Sequence, residues 1–131
     1  MRECAPMTED ELQKALEETT AERDRYALFV EECGDQDVRL RFSPAPGENW
    51  SMPALMTLVH TSLRAAAGAR AGLSHLNVTL LRPAPPADVI ALSRVLKRDG
   101  TLVHAESWLF SHAVVEPMLH ATATLARLHQ T

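Results

Sequence analysis

The residue best suited to chemistry in this chain is a histidine. His60 stands near the middle of SMPALMTLVHTSLRAAAG, residues 51 to 68, a nearly all-apolar stretch. A neutral imidazole can accept a proton near neutral pH, because its ordinary pKa of about 6.5 lies close to working conditions. Thr57, Thr61, Arg64 and Gly68 recur around it at the three- and four-residue spacing that shares one helix face. The stripe has two readings: a base flanked by ligand-binding side chains, or a polar seam at a subunit contact. Just upstream, Glu48 is a second potential base and Asn49 a side-chain donor; ordinary solvation of a loop is the other account of both. His75, His104, His112, His120 and His129 lack metal-ligand spacing such as His-x-x-x-His and read as strand-surface residues. Cys4 and Cys33 are too few and too far apart for a structural zinc site and are given no role. Neither a metal nor a cofactor is implied.

These residues must be held by a scaffold, and the hydrophobic pattern outlines one. Ser51 can cap the apolar stretch as a helix, Pro53 is tolerated in its first turn, and Gly68 and Gly72 end it. Upstream, Thr8-Glu9-Asp10-Glu11 has the form of a capping box, and Leu12, Leu16, Tyr26, Phe29, Val30 and Cys33 recur at helical spacing. A helix is expected from here through Glu32, bent or interrupted around residues 19 to 24, with Gly34 as its stop. The period then changes to two: Val38, Leu40 and Phe42 alternate with polar residues as a half-buried strand. Residues 43 to 49, SPAPGEN, are turn chemistry.

From Leu73 onward the pattern predicts only strands. One runs to the prolines after Arg82, a second spans Asp88 to Arg98, a third Thr101 to Ser111, and a fourth about Pro117 to Leu128. Asp99-Gly100 predicts a tight hairpin between the second and third. Val89, Ala91, Ser93 and Val95, with Val103, Ala105, Ser107 and Leu109, form a face of mostly small residues that the apolar helix can approach. The opposite face, with Ile90, Leu92, Leu96, Leu102, Trp108 and Phe110, is apolar enough to need a cover, either a second subunit or the N-terminal helix.

Composition narrows the class. A chain of 131 residues is one domain long. No apolar run reaches membrane-spanning length, and Met1 to Pro6 lack the apolar core of a signal peptide, so a cytoplasmic, membrane-free protein is expected. The net charge of −4 is uneven: residues 1 to 50 carry thirteen acidic and six basic side chains, residues 51 to 131 four and seven. That small positive excess suits an anionic ligand but not nucleic acid.

Three segments carry a resemblance. Leu55 to His60 (LMTLVH) resembles the Leu-Ala-Thr-Leu-Ala-Asp of a central helix, Leu76 to Ala84 (LNVTLLRPA) a strand ending in Leu-Arg-Pro-Ala, and Leu119 to Leu125 (LHATATL) a final Val-Ala-x-Ala-Thr-x-Thr strand. They resemble the hotdog-fold acyl-CoA thioesterases of the phenylacetate-pathway type, over Val38 to Leu128. The resemblance implies an α+β hotdog fold at residues 35 to 131, an antiparallel sheet wrapped around a long central helix; the capping box and helical spacing upstream add an N-terminal helical extension at residues 1 to 34. It also implies an acyl-CoA or related thioester as partner, and a homodimer, with a tetramer as the next assembly, whose sites lie between chains.

The chain departs from that family where the chemistry is done. The family's His-Gly-Gly falls on Ser51, Met52 and Pro53, and the resemblance implies that the N–H at the second glycine polarises the thioester carbonyl. Proline has no such donor. Backbone N–H groups of Ala54 or Leu55, at the positive end of the helix, are the substitutes. The family's catalytic Asp or Glu falls on His60, which makes the histidine the expected base. Arg82 is expected to anchor a strand end or, alternatively, to meet a CoA phosphate; Lys97 and Arg98, beside the hairpin, are solvated or touch the ligand's nucleotide end. Three functions compete: a thioester hydrolase using His60, a non-catalytic binder of acyl-CoA or another acyl ligand, and a dehydratase. The last has Met52-Pro53 in its favour, resembling a Met-Pro-Gly helix entry, but lacks the spaced catalytic pair.

Overall fold

The computed structural model describes residues 8–19, 26–34, 37–44, 50–68, 70–112 and 116–126. Its elements follow in the order α1 (Glu9–Thr19), β1 (Tyr26–Cys33), β2 (Asp37–Pro44), α2 (Met52–Ala67), β3 (Gly72–Leu80), β4 (Val89–Asp99), β5 (Leu102–Ser111) and β6 (Pro117–Ala126). The six strands form one antiparallel sheet in the order β1-β2-β4-β5-β6-β3. It packs its inner face on α2.

The capping box forms: Glu11 N donates to Thr8 Oγ1 at 3.1 Å and Thr8 N to Glu11 Oε1 at 3.0 Å. The helix it starts is shorter than its spacing suggested. α1 ends at Thr19, and Tyr26–Cys33 is a strand, with Leu28 opposite Phe42 and Val30 opposite Leu40. A short apolar run fits both periods, and YALFVEEC is rich in the aromatic and branched residues that favour strands. Pairing with β2 decides between them: Leu28 is buried while Phe29 stands exposed. The sheet therefore begins at Tyr26, inside the expected helical extension.

α1 serves this new strand in two ways. Leu12 and Leu16 enter the core at 1% and 0% exposure. Gln13 closes the free edge of β1, its Nε2 donating to Leu28 O at 2.6 Å and its Oε1 accepting from Val30 N at 2.7 Å. An amide side chain thus imitates a neighbouring strand where the ladder ends. Gln13→Ala should lower stability by about 1 to 2 kcal/mol, as expected for two partly buried hydrogen bonds. Urea unfolding, with an unchanged m-value, checks it.

The inner face is as the alternation predicted. Val38, Leu40 and Phe42 of β2 are buried, as are Val89, Ala91, Ser93, Val103, Ala105, Ser107 and Leu109 of β4 and β5, with Val95 packed at the margin. Small residues let α2 come close enough for Ser62 Oγ to lie 2.6 Å from Ser107 Oγ. Ser62 Oγ already donates to Val59 O at 2.9 Å, so Ser107 must supply the proton between the two hydroxyls.

Two expectations need correcting. The hairpin loop is Gly100-Thr101 rather than Asp99-Gly100, because Asp99 still pairs with Leu102. Gly100 takes φ 64°, the left-handed value a tight primed turn needs at its first position. The second concerns the outer sheet face. α1 packs against β1 and α2, on the inner side, so it leaves Leu92, Leu96 and Leu102 36%, 50% and 38% exposed.

Candidate functional site

α2 is fixed at both ends. Ser51 stands in extended geometry and accepts from Ala54 N at 3.3 Å, and Pro53 occupies the first turn. Before it, Trp50 is buried and donates its Nε1–H to Ala87 O at 2.7 Å, tying the helix entry to the segment before β4. At the far end Gly68 N donates to Arg64 O at 2.7 Å, with φ 142°, a conformation that L side chains rarely adopt.

Around this axis the side chains divide. Leu55, Leu58, Val59, Ser62 and Leu63 are buried in the core, whereas Met56, Thr57 and His60 are only half-buried, on a different face. His60 is not sealed among the core leucines. Its ring has no hydrogen-bond partner among the described residues. Partial burial, and then the nearby charge of Arg64, hold its pKa below the ordinary 6.5, so it is a neutral imidazole at pH 7. A neutral ring with an open lone pair has the protonation state a general base requires.

The other expected site residues are distributed unevenly. Thr57 shares the face of His60, although its hydroxyl donates to Pro53 O at 3.1 Å. Thr61 and Arg64 are buried, at 1% and 7% exposure. Leu55 N donates to Ser51 O at 2.9 Å as the first intrahelical bond, and Ala54 N meets the Ser51 hydroxyl. Both N–H groups are thus already engaged, but only Ala54 can exchange its long cap bond for a ligand without opening the helix. Glu48 and Asn49 lie outside the described residues. Arg82 donates through Nε to Pro117 O at 3.1 Å and pairs with Glu116 at 2.7 Å, which joins the end of β3 to the start of β6. Lys97 and Arg98 sit beside the β4–β5 turn. That end of the sheet is shared with Gly72 and Ala126, where α2 finishes, so within one chain they are far from Ser51.

A polar cluster that the sequence reading missed occupies the outer face. Glu106, 9% exposed, accepts from Arg94 Nε at 2.6 Å and from His120 Nε2 at 3.0 Å, and the imidazole stacks on Trp108 with ring centroids 3.9 Å apart. The signal was the two-residue period itself: His104, Glu106 and Trp108 alternate with the core residues of β5. Only cross-strand register, Glu106 opposite Arg94 and Trp108 opposite His120, brings them together. Burial alone would raise the pKa of Glu106, but hydrogen bonds and charge from His120 and Arg94 outweigh it and hold it below its ordinary 4.5. A carboxylate whose folded pKa is depressed stabilises the fold above its unfolded pKa and loses that contribution as pH falls through the folded value. Wild type should therefore lose stability as pH falls below about 4.5, and Glu106→Gln should lose less over the same window. Denaturant midpoints at pH 3 to 7 read the difference. Beside the cluster lies an open groove of about 280 Å³, lined by Leu92, Trp108, Arg39, Arg94, Asp37 and Glu32 among others; it shares no residue with the His60 stripe.

The arrangement of sheet and helix matches known structures over nearly its whole length. A Silicibacter protein assigned as a thioesterase superposes with TM-score 0.78 at 22% identity, over 92% of this chain and 91% of its own. Zebrafish thioesterase superfamily member 2 gives 0.78 at 16% identity, over 92% and 98%. This is the hotdog fold. A third hotdog neighbour, the E. coli PaaI protein from the phenylacetic acid degradation operon, gives 0.73 at 12% identity, over 89% and 95%. No protein-family model matches the chain, and no curated protein does. Among the described residues, no helix of this hotdog chain is long and apolar enough to cross a membrane.

Proposed function

We propose that this hotdog chain hydrolyses a thioester, an acyl-CoA or a related compound, with His60 as general base. The observation that carries the proposal is the place of that ring, half-buried on the central helix and outside the core, where burial and then the charge of Arg64 favour its neutral form. His60 takes a proton from an attacking water, the water oxygen bonds to the carbonyl carbon, and as the C–S bond breaks the imidazolium returns that proton to the leaving sulfur, releasing a thiol and a carboxylic acid that ionises to the carboxylate. The carbonyl oxygen, negative in between, is met by Ala54 N–H at the positive end of α2, once it leaves the Ser51 hydroxyl.

The site is completed by a second copy of the chain. β3 is the sheet edge opposite the one α1 covers, and almost all of its residues are exposed, Leu73 and Leu80 included. An uncovered edge strand is a ready template for its own symmetry mate. A homodimer through β3 would extend the sheet, and a tetramer could then use the apolar outer face.

A second reading has its own observation. Pro53 has no N–H and Leu55 N–H is committed, which leaves a weak oxyanion site and suits a protein that binds acyl-CoA without cleaving it. Free-thiol release from short, long and aromatic acyl-CoAs, measured together with melting temperature, separates the two. Cleavage that disappears in His60→Ala supports the hydrolase. CoA esters that raise the melting temperature without being cleaved support the binder, since only a ligand preferring the folded state stabilises it.

A further inference from the structure

The acidic excess of residues 1 to 50 gathers in part at the groove on the outer sheet face. The groove is open, has a volume of about 280 Å³, and is lined by Leu92 and Trp108, by Arg39 and Arg94, and by Glu32 and Asp37, among others. That is close to the lower end of small-molecule pockets, about 300 Å³. Register places Glu32 opposite Arg39 and Asp37 opposite Arg94, so both carboxylates stand at the same end of β2.

The sign of the groove follows from which of these groups already have partners. Arg39 donates through Nε to Glu31 Oε1 at 2.8 Å, and Arg94 through Nε to Glu106 Oε2 at 2.6 Å. Glu31 and Glu106 do not line the groove, so each arginine is balanced from outside it. Glu32 and Asp37 are exposed and have no ion-pair partner among the described residues. These two uncompensated carboxylates make the groove negative. Gly34 leaves room for one of them, since a Cβ there would stand 2.6 Å from Asp37 Oδ1.

Beside these charges Trp108 supplies an aromatic ring, held by its stack on His120 with centroids 3.9 Å apart, and Leu92, 36% exposed, supplies apolar surface. An ammonium is attracted by carboxylates and by an aromatic face alike. A small hydrated cation would leave the apolar surface wet, a neutral body would leave the carboxylates unpaired, and an anion would meet like charge. We propose that the groove binds a small organic cation, an ammonium carried on an aromatic body, with Glu32 and Asp37 taking the charge and Trp108 and Leu92 the body. The groove shares no residue with the His60 stripe, so this binding site stands independently of the thioester chemistry.

The test is an NMR titration of the full, nitrogen-15-labelled chain at pH 7 and fixed ionic strength with four probes: phenethylamine, which has charge and ring; 2-phenylethanol, ring alone; ethylamine, charge alone; and 3-phenylpropionate, the opposite charge. Phenethylamine should saturate with a Kd below about 10 mM, with shifts gathered at Asp37, Arg94 and the Trp108 indole N–H. The other three should bind at least about fivefold more weakly. Replacing both carboxylates, Glu32→Gln with Asp37→Asn, should weaken phenethylamine by a similar factor and leave 2-phenylethanol unchanged. The proposal is overturned if phenethylamine does not saturate, if 2-phenylethanol, ethylamine or 3-phenylpropionate binds as tightly, or if the double variant binds phenethylamine as wild type does. Shifts that gather on α2 around His60 instead of the groove also overturn it. Both substituted positions are exposed, so the variant should melt close to wild type. Should it fail to fold, Asp37→Asn alone, with part of the same loss expected, decides the matter.

Discussion

Replacing His60 by alanine should lower kcat/KM for thioester hydrolysis by about two to four orders of magnitude, the usual contribution of a positioned general base. The fold should hardly notice. His60 is half-buried, has no hydrogen-bond partner among the described residues and stands apart from the leucines that pack α2 on the sheet. A melting temperature within a few degrees of wild type is expected, because substitutions away from packed or hydrogen-bonded positions change stability by about 0.5 kcal/mol or less. Thiol-release kinetics and a thermal melt on the same preparation separate lost chemistry from lost structure. A variant that melts far below wild type would instead assign His60 to the architecture.

The second large effect is a gain. Pro53→Gly returns a backbone N–H to the first turn of α2, where the positive helix end favours an anion. Losing one oxyanion donor costs enzymes roughly 100- to 1,000-fold in kcat, so regaining one should raise kcat by at least about tenfold. The expense is conformational: glycine loosens the helix entry that Ser51 caps and Pro53 rigidifies, lowering stability by about 1 kcal/mol. KM should change little, since the new bond forms mainly as charge develops on oxygen. If wild type binds acyl-CoA without cleaving it and Pro53→Gly cleaves it, the binder reading describes the chain as it stands. An unchanged kcat in a variant that still turns over would place the oxyanion elsewhere.

Much of the scaffold was legible because two strong periods mark it. Val38, Leu40 and Phe42 show the two-residue alternation, and the small faces of β4 and β5 announce the helix they receive. Tyr26 to Cys33 was misread because that short run fits a helix as well as a strand; only pairing with β2, a contact distant in sequence, decides. The hairpin slipped by one residue because Gly100 suits either central position of a tight turn. Partnership along a helix was legible too, since His60 and Arg64 are one turn apart in any helix. Partnership across a sheet was not: the Arg94, Glu106 and His120 cluster depends on the registers of three strands, and no short-range pattern encodes them.

The most direct test of the account is the pH dependence of kcat/KM for the best thioester, measured on wild type and on His60→Glu. The account predicts activity governed by one deprotonation with a midpoint below 6.5, flat through neutral pH, because burial and then Arg64 hold the imidazole there. The midpoint should move when glutamate replaces the ring. Hydrolysis whose profile is the same in both proteins would show that the proton goes to another group, and His60 would lose its role as base.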